Sequence, residues 1–245
     1  QAMSHNDRRG FLAATAGLGM VALAPGVHLM QVAQAQIKRA AGEPASRLQR
    51  WGMLIDTTQC ATGCDACVKA CAAENGINET VADPRQASQW IRKIDIKDPK
   101  NGRQHSLPMM CQHCAEPPCV DVCPTGASMK RADGIVLVDR HICIGCRYCM
   151  MACPYKARSF VHQPLTRQNP EVPRGIGCVE SCTLCVHRVD KGQKPACVEA
   201  CPEQAMLFGD LEDPNSEIAR RAASVATTQV RADLKLNTGV RYLGI

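Results

Sequence analysis

Aromatic side chains are scarce: three Phe, three Tyr and two Trp make up only 3% of the 245 residues. A large aromatic core is therefore excluded, and folds short of core compensate with covalent or metal staples. No C-x-x-C-H run occurs, so the chain carries no c-type haem attachment site of its own. No Gly-rich phosphate loop, nucleophile–base arrangement or paired-carboxylate site stands out, which removes the usual sequence warrants for a self-contained enzyme. A long unbroken apolar run is also missing. The stretch from Ala13 to about Met30 has the length of a membrane span. However, Gly17, Gly19, Pro25, Gly26 and His28 interrupt it and make it a poor one.

What the chain has in excess is cysteine. Sixteen of its seventeen cysteines fall into four groups of four: Cys60, Cys64, Cys67, Cys71; Cys111, Cys114, Cys119, Cys123; Cys143, Cys146, Cys149, Cys153; and Cys182, Cys185, Cys197, Cys201. The third group, CIGCRYCMMACP, is a complete C-x2-C-x2-C-x3-C-P run, the spacing of iron–sulfur ligands in bacterial two-cluster ferredoxins, where the fourth cysteine of a run serves the other cluster. Three groups close with Cys-Pro (Cys123-Pro124, Cys153-Pro154, Cys201-Pro202), and a proline there removes a backbone donor and turns the chain away. Zinc knuckles explain neither the third cysteine of each run nor the Cys-Pro endings. Sixteen thiolates match four [4Fe–4S] clusters, and the clusters themselves are expected to form the core.

The formal charge of +6 does not read as a nucleic-acid footprint, because Lys and Arg are scattered along the chain. Each all-cysteine cubane with its thiolates also carries roughly −2, so four add about −8 and bring the loaded protein close to neutral.

The N-terminus reads Asp7-Arg8-Arg9-Gly10-Phe11-Leu12, similar to a twin-arginine export signal. Ala33-Gln34-Ala35 supplies an A-x-A cleavage site, giving a signal peptide over 1–35 that is either cleaved or retained as an anchor. The two features support each other. An oxidising periplasm turns bare cysteines into disulfides, and the twin-arginine route carries cargo already folded and metallated. The expected location is the periplasm, with membrane association through partners.

Residues 36–50 read as a polar linker, 51–210 as the cysteine-bearing domain and 211–245 as a helix (about Ser216 to Ala226) and tail that wraps the body or a partner. Within the domain, Trp51–Asp56, Trp90–Ile96, Gly134–Asp139 and Met206–Gly209 read as short strands, and Asn101-Gly102 as a hairpin turn. Short helices or turns fit the remaining space. The fold class is α+β, an internal repeat of strand, ligand loop and short helix, with groups one and four forming one ferredoxin-like module and groups two and three another, nested within it. Met109, Met110, Met150 and Met151 flank ligands as adaptable packing. His113 and His187 are the histidines near ligands, candidates for hydrogen bonds that tune a cluster.

CQHCAEPPCVDVCPTGA, CIGCRYCMMACPY and CTLCVHRVDKGQKPACVEACP, with FGDLEDPNSE and the VRYL tail, resemble the four-cluster iron–sulfur subunit family of membrane oxidoreductases that act on dimethyl sulfoxide, polysulfide and tetrathionate. The resemblance implies a non-catalytic electron-transfer subunit with crossed ligation. Cys60, Cys64, Cys67 and Cys201 would hold one cluster, and Cys71, Cys182, Cys185 and Cys197 its neighbour. Cys111, Cys114, Cys119 and Cys153 would hold a third, and Cys123, Cys143, Cys146 and Cys149 the fourth. It also implies two partners: an integral membrane quinone-interacting subunit, and a multihaem cytochrome c or catalytic subunit. Cys60-x3-Cys64, in place of the common two-residue gap, and the missing proline after Cys71 depart from the family pattern. With the export signal, these departures are similar to the periplasmic subunits that serve DsrMKJOP-type complexes of sulfur metabolism. Exported relatives serving tetrathionate, polysulfide, nitrite or hydrogenase chemistry share the remaining features. Cys178-x3-Cys182-x2-Cys185 copies the spacing of the first group, so Cys178 is either a displacing ligand or, as the family run favours, a spectator.

Overall fold

The computed structural model describes residues 19–24, 27–31, 43–77, 81, 83–166 and 168–245. The chain divides into two units, 1–38 and 39–245. In the first, strands β1 (Gly19–Ala24) and β2 (Val27–Gln31) pair antiparallel. Thus part of the interrupted apolar stretch is extended, and among the described residues no helix is long and apolar enough to cross a membrane. Arg8, Arg9, Phe11, Leu12 and the 33–35 cleavage site lie outside the described residues.

The second unit is a mixture of short strands and helices, in chain order β3 (Trp51–Asp56), α1 (Ala66–Glu74), β4 (Ile91–Lys97), β5 (Gln104–Met110), α2 (Pro118–Asp121), β6 (Ser128–Lys130), β7 (Val136–Val138), α3 (Tyr148–Ala152), β8 (Arg158–Phe160), β9 (Val179–Ser181), α4 (Val186–Val189), α5 (Ala196–Glu199), β10 (Met206–Asp210), α6 (Glu217–Ser224) and β11 (Val240–Leu243). Two 3-10 turns add to these, at Pro84–Gln86 and Ala232–Leu234.

The tail belongs to the body. β3 is the middle of a three-stranded sheet, antiparallel to β10 and parallel to β11, in register Met206↔Ile55 and Val240↔Met53. Met53, Ile55, Val240 and Tyr242 are fully buried there. Gly52 lets this happen, because a Cβ on it would meet the Gly239 carbonyl at 2.7 Å and Leu211 Cδ1 at 2.4 Å. The helix expected near 216–226 is α6, capped by Ser216 Oγ accepting from the Ala219 N–H at 3.1 Å. It buries Ile218 over Gly209 and beside Leu54.

β4 and β5 form the expected hairpin, closed by Gly102 at φ +72 and by the Asp98 N–H on the Arg103 carbonyl at 2.8 Å. Only the Ile91 end of β4 is buried. Ile94 and Ile96 are exposed, although Ser106 and Leu107 opposite this part of β4 are buried. The short β6–β7 hairpin joins the second and third cysteine groups, and β8–β9 pairs the exit of the third group with the entry of the fourth. The helices of the cysteine groups pack in pairs, α1 on α5 and α2 on α3. A buried two-pronged ion pair, Arg174 Nε and Nη2 on Glu180 at 2.8 and 2.7 Å, also reaches the Gly76 carbonyl and Ser88 Oγ, fastening the first group's exit to β9.

Candidate metal centres

The backbone sends the cysteines of one run in different directions. In α3, Cys149 and Cys153 are four apart and would share a helix face if the helix continued. It does not. Cys153 is extended (φ −73, ψ 112), as a residue before proline is forced to be. The Cys-Pro ending is thus the device that turns the fourth cysteine away from the first three. Where that proline is missing, α1 runs on through Cys71 to Glu74. There Cys67 and Cys71 lie one turn apart.

Cys111, Cys114, Cys119 and Cys153 line one cavity, together with Pro117, Pro118, Pro154, Tyr155 and Arg158. Cys123, Cys143, Cys146 and Cys149 line a second, with Thr125, Ala127, Ser128 and Gly145. Gly145, at φ +70, lies so close to the Gly177 carbonyl that a Cβ would approach it to 2.3 Å. Electrostatic coupling reveals the other two gatherings. Cys60, Cys64, Cys67 and Cys201 interact as one set, and Cys71, Cys182, Cys185 and Cys197 as another, the two meeting along α1 where Cys197 also senses Cys67. Each set draws on two different runs. Among the described residues, no three His, Cys, Asp or Glu converge as ligands of a single ion.

The donor set fits a cationic, thiolate-hungry cofactor. Burial, with repulsion from neighbouring cysteines, pushes Cys67 up to about 11 and Cys71, Cys111 and Cys114 up to about 12. Cys182 and Cys197 are also raised well above the ordinary thiol value for the same reasons. Bare thiols held like this stay protonated at neutral pH, and a bound metal inverts that preference by stabilising the thiolate. Donors already point at the sulfurs: the Ser128 N–H reaches Cys123 Sγ at 3.3 Å, the Leu184 N–H Cys182 Sγ at 3.4 Å, and the Ala205 N–H Cys201 Sγ at 3.3 Å. Although burial works upward on Cys123, its Ser128 and Thr125 hydrogen bonds bring it below the ordinary thiol value.

The two histidines differ. His113 is fully buried, and its Nδ1 accepts from the Val136 N–H at 3.0 Å, which places its proton on Nε2. Burial and then the nearby Arg158 push it down to about 3, so it is neutral. Its Nε2 has no protein partner and remains available as a donor inside the protein. His187 instead pairs with Glu74 Oε1 at 2.7 Å, and Arg188 holds the other oxygen at 3.1 Å, tying α1 to α4. Met109 and Met110 pack in the core as expected, and Met150 packs partly buried against it. Met151 does not: it is 73% exposed, because it lies on the solvent face of α3. Arg158 was not singled out by the sequence. It is a buried cation donating to Cys119 Sγ at 3.1 Å, and no periodicity marks it.

Cys178 is buried, with its thiol toward the Arg140 carbonyl at 3.3 Å and beside Cys143 rather than the Cys182 set. Cys178→Ala should leave iron content and all cluster signals unchanged, while Cys182→Ala should remove one cluster. Loss of a cluster in the former and not in the latter would shift the ligand to Cys178.

A family described as "4Fe-4S dicluster domain" matches residues 103–211. The chain is 42% identical to the Hdr-like menaquinol oxidoreductase iron-sulfur subunit 1 of Archaeoglobus fulgidus, over 82% of this chain and 85% of that one. The chain belongs to the family of 4Fe–4S iron–sulfur subunits of oxidoreductases. Other members similar to it are a tetrathionate reductase subunit of Salmonella typhimurium (38% identical, over 80% of this chain and 73% of that one) and the protein NrfC of Escherichia coli (41%, over 70% of each). As in this iron–sulfur subunit family, the cofactors are [4Fe–4S] clusters.

Proposed function

We propose that this chain is a periplasmic, non-catalytic electron-transfer subunit whose sixteen cysteines hold four [4Fe–4S] clusters in two nested ferredoxin-like modules. The ligand sets are Cys60, Cys64, Cys67 and Cys201; Cys71, Cys182, Cys185 and Cys197; Cys111, Cys114, Cys119 and Cys153; and Cys123, Cys143, Cys146 and Cys149. The observation that supports this reading is that Cys111, Cys114, Cys119 and Cys153 line one cavity and Cys123, Cys143, Cys146 and Cys149 another, each set drawn from two runs. The pairing of α1 with α5 and of α2 with α3 supports the nesting. When bound, each cluster supplies a one-electron couple whose potential is set by charge, hydrogen bonds and exposure. With every ligand position filled by cysteine, no iron is left open to a substrate, so the protein's work is to fix spacing, exclude water and tune potentials. Cys60, Cys64, Cys123, Cys143 and Cys201 are half-buried and the other ten ligands are buried, whereas Cys146 is exposed. Its edge is where exchange with a partner has the shortest path.

The partners in this reading are a quinone-reactive integral membrane subunit at one end and a multihaem cytochrome or catalytic subunit at the other. The menaquinol oxidoreductase named for the Archaeoglobus relative supports the first. A DsrMKJOP-type complex of sulfur respiration fits the export signal and the Cys60-x3-Cys64 spacing. Comparable identity to the tetrathionate reductase subunit and to NrfC favours, as a second reading, another exported oxidoreductase.

One experiment tests location and loading together. The full chain recovered from the periplasm should carry about sixteen irons, four for each cubane. Changing Arg8 and Arg9 together to Lys should leave a loaded protein in the cytoplasm. About eight irons, or zinc in their place, would defeat the four-cluster reading, and unchanged export would defeat the location.

A further inference from the structure

Arg158 opens β8 and is 6% exposed. Its Nη2 donates to Cys119 Sγ at 3.1 Å and to Ser128 Oγ at 2.8 Å. Those two partners belong to different centres. Cys119 lines the cavity of Cys111, Cys114 and Cys153, whereas Ser128 lines the cavity of Cys123, Cys143, Cys146 and Cys149 and donates its own N–H to Cys123 Sγ. Cys149 of the second cavity is also within electrostatic reach of the guanidinium. The group is wedged between the two centres, and its Nε and Nη1 are buried with no protein partner.

A buried cation needs compensating negative charge. Among the described residues, no carboxylate pairs with Arg158. The counter-charge of this arginine is therefore the thiolate shell of both centres. Arginine suits the place because its fork stays charged and can face several acceptors at once.

We propose that Arg158 is a positioning residue for electron transfer, a fixed positive charge shared by the two adjacent clusters that raises the reduction potential of both and leaves the other two alone. Adding an electron makes a cluster more negative, so a fixed cation beside its sulfurs stabilises the reduced form. Placed between two like-charged centres, the same cation offsets part of the cost of holding negative charge on each of them. The inference rests on the ligand sets of the proposed function.

The test is a potentiometric titration of the full, iron-loaded chain followed by electron paramagnetic resonance, comparing Arg158→Gln and Arg158→Lys with the parent. At a fixed ambient potential, Arg158→Gln should lower the reduced-to-oxidised ratio of the two neighbouring clusters about tenfold, which is about 59 mV for a one-electron couple. The remaining two clusters should hold their ratios. Arg158→Lys keeps the charge but not the fork, and its loss should be clearly smaller. Unchanged ratios in loaded Arg158→Gln, equal shifts in all four clusters, or a Lys variant as affected as Gln would each overturn the proposal.

Should Arg158→Gln not load, the parent protein labelled with 15N in the guanidinium of arginine decides. Its reduced neighbouring clusters should show coupling to that nitrogen, and absence of coupling in both would overturn the proposal. A parent protein with fewer than four clusters defeats the ligand reading instead, a result distinct from unchanged potentials.

Discussion

Stripping the iron from the loaded protein under reducing conditions should abolish most of its regular secondary structure and its cooperative thermal transition, and iron with sulfide should restore both. The expectation follows from what the core is made of. Among its buried residues are Cys67, Cys71, Cys111, Cys114, Cys119, Cys149, Cys153, Cys182 and Cys197, with Trp90, Tyr155 and Tyr242 as the buried aromatics. The helices that carry ligands span four to nine residues, well under the roughly 12–15 at which an isolated helix becomes marginal in water. The hairpins β4–β5, β6–β7 and β8–β9 have two strands each, and an isolated two-stranded hairpin is marginal at best. None of these elements has a reason to persist once the centre it packs around is gone. Metal binding is then folding free energy. The three-stranded sheet of β10, β3 and β11, with Met53, Ile55, Val240 and Tyr242 buried on it, is the part best able to retain residual structure. Circular dichroism of the chelated chain checks this, and a native spectrum with an unchanged melting transition would show that the polypeptide, not the clusters, holds the fold.

Much of this architecture is legible in the residues because it is local. Trp51–Asp56 and Met206–Gly209 read as strands and are β3 and β10, and Asn101-Gly102 closes the expected hairpin. Non-local features could not be read so directly. Nothing in VRYL shows that it pairs parallel with Trp51–Asp56 some 190 residues earlier, since that register is fixed by Gly52 and Gly239 approaching each other in space. The Gly134–Asp139 strand is shorter than expected, only Val136–Val138, because its partner Ser128–Lys130 is itself three residues long. The site shows the same division. The cysteines announce themselves by spacing, and Met109 and Met110 by their position beside them. By contrast, the outward turn of Met151, the His187–Glu74 pair and the burial of Arg158 depend on which helix face or strand end meets the body. Nothing in Cys153-Pro154-Tyr155-Lys156-Ala157-Arg158 sets Arg158 apart from the neighbouring Lys156, so its burial could not be read in advance.

Cys153→Ser should remove or convert the cluster facing Cys111, Cys114 and Cys119, while the cluster facing Cys143, Cys146 and Cys149 survives. Sequence proximity argues the opposite, since Cys153 lies four residues from Cys149 and more than thirty from Cys119. The linings of the two cavities favour crossing. Cys153 is buried, caps α3 in an extended conformation and lines the cavity of the second group's first three cysteines, together with Pro154 and Tyr155. It does not line the cavity of its own run, where Cys123 stands instead. A serine hydroxyl is a poor substitute for a thiolate, and its removal of one ligand of four should lower iron content from about sixteen to about twelve, one cubane's worth. The reciprocal Cys123→Ser should spare the cluster near Cys119 and damage the one near Cys149. Magnetic resonance on the reduced variants separates the cases, because the Arg158 guanidinium lies between the two cysteine sets and only the Cys123 set includes the exposed Cys146. If Cys153→Ser selectively destroys the cluster on Cys143, Cys146 and Cys149, ligation is not crossed, and the outward turn imposed by Pro154 serves packing rather than metal binding.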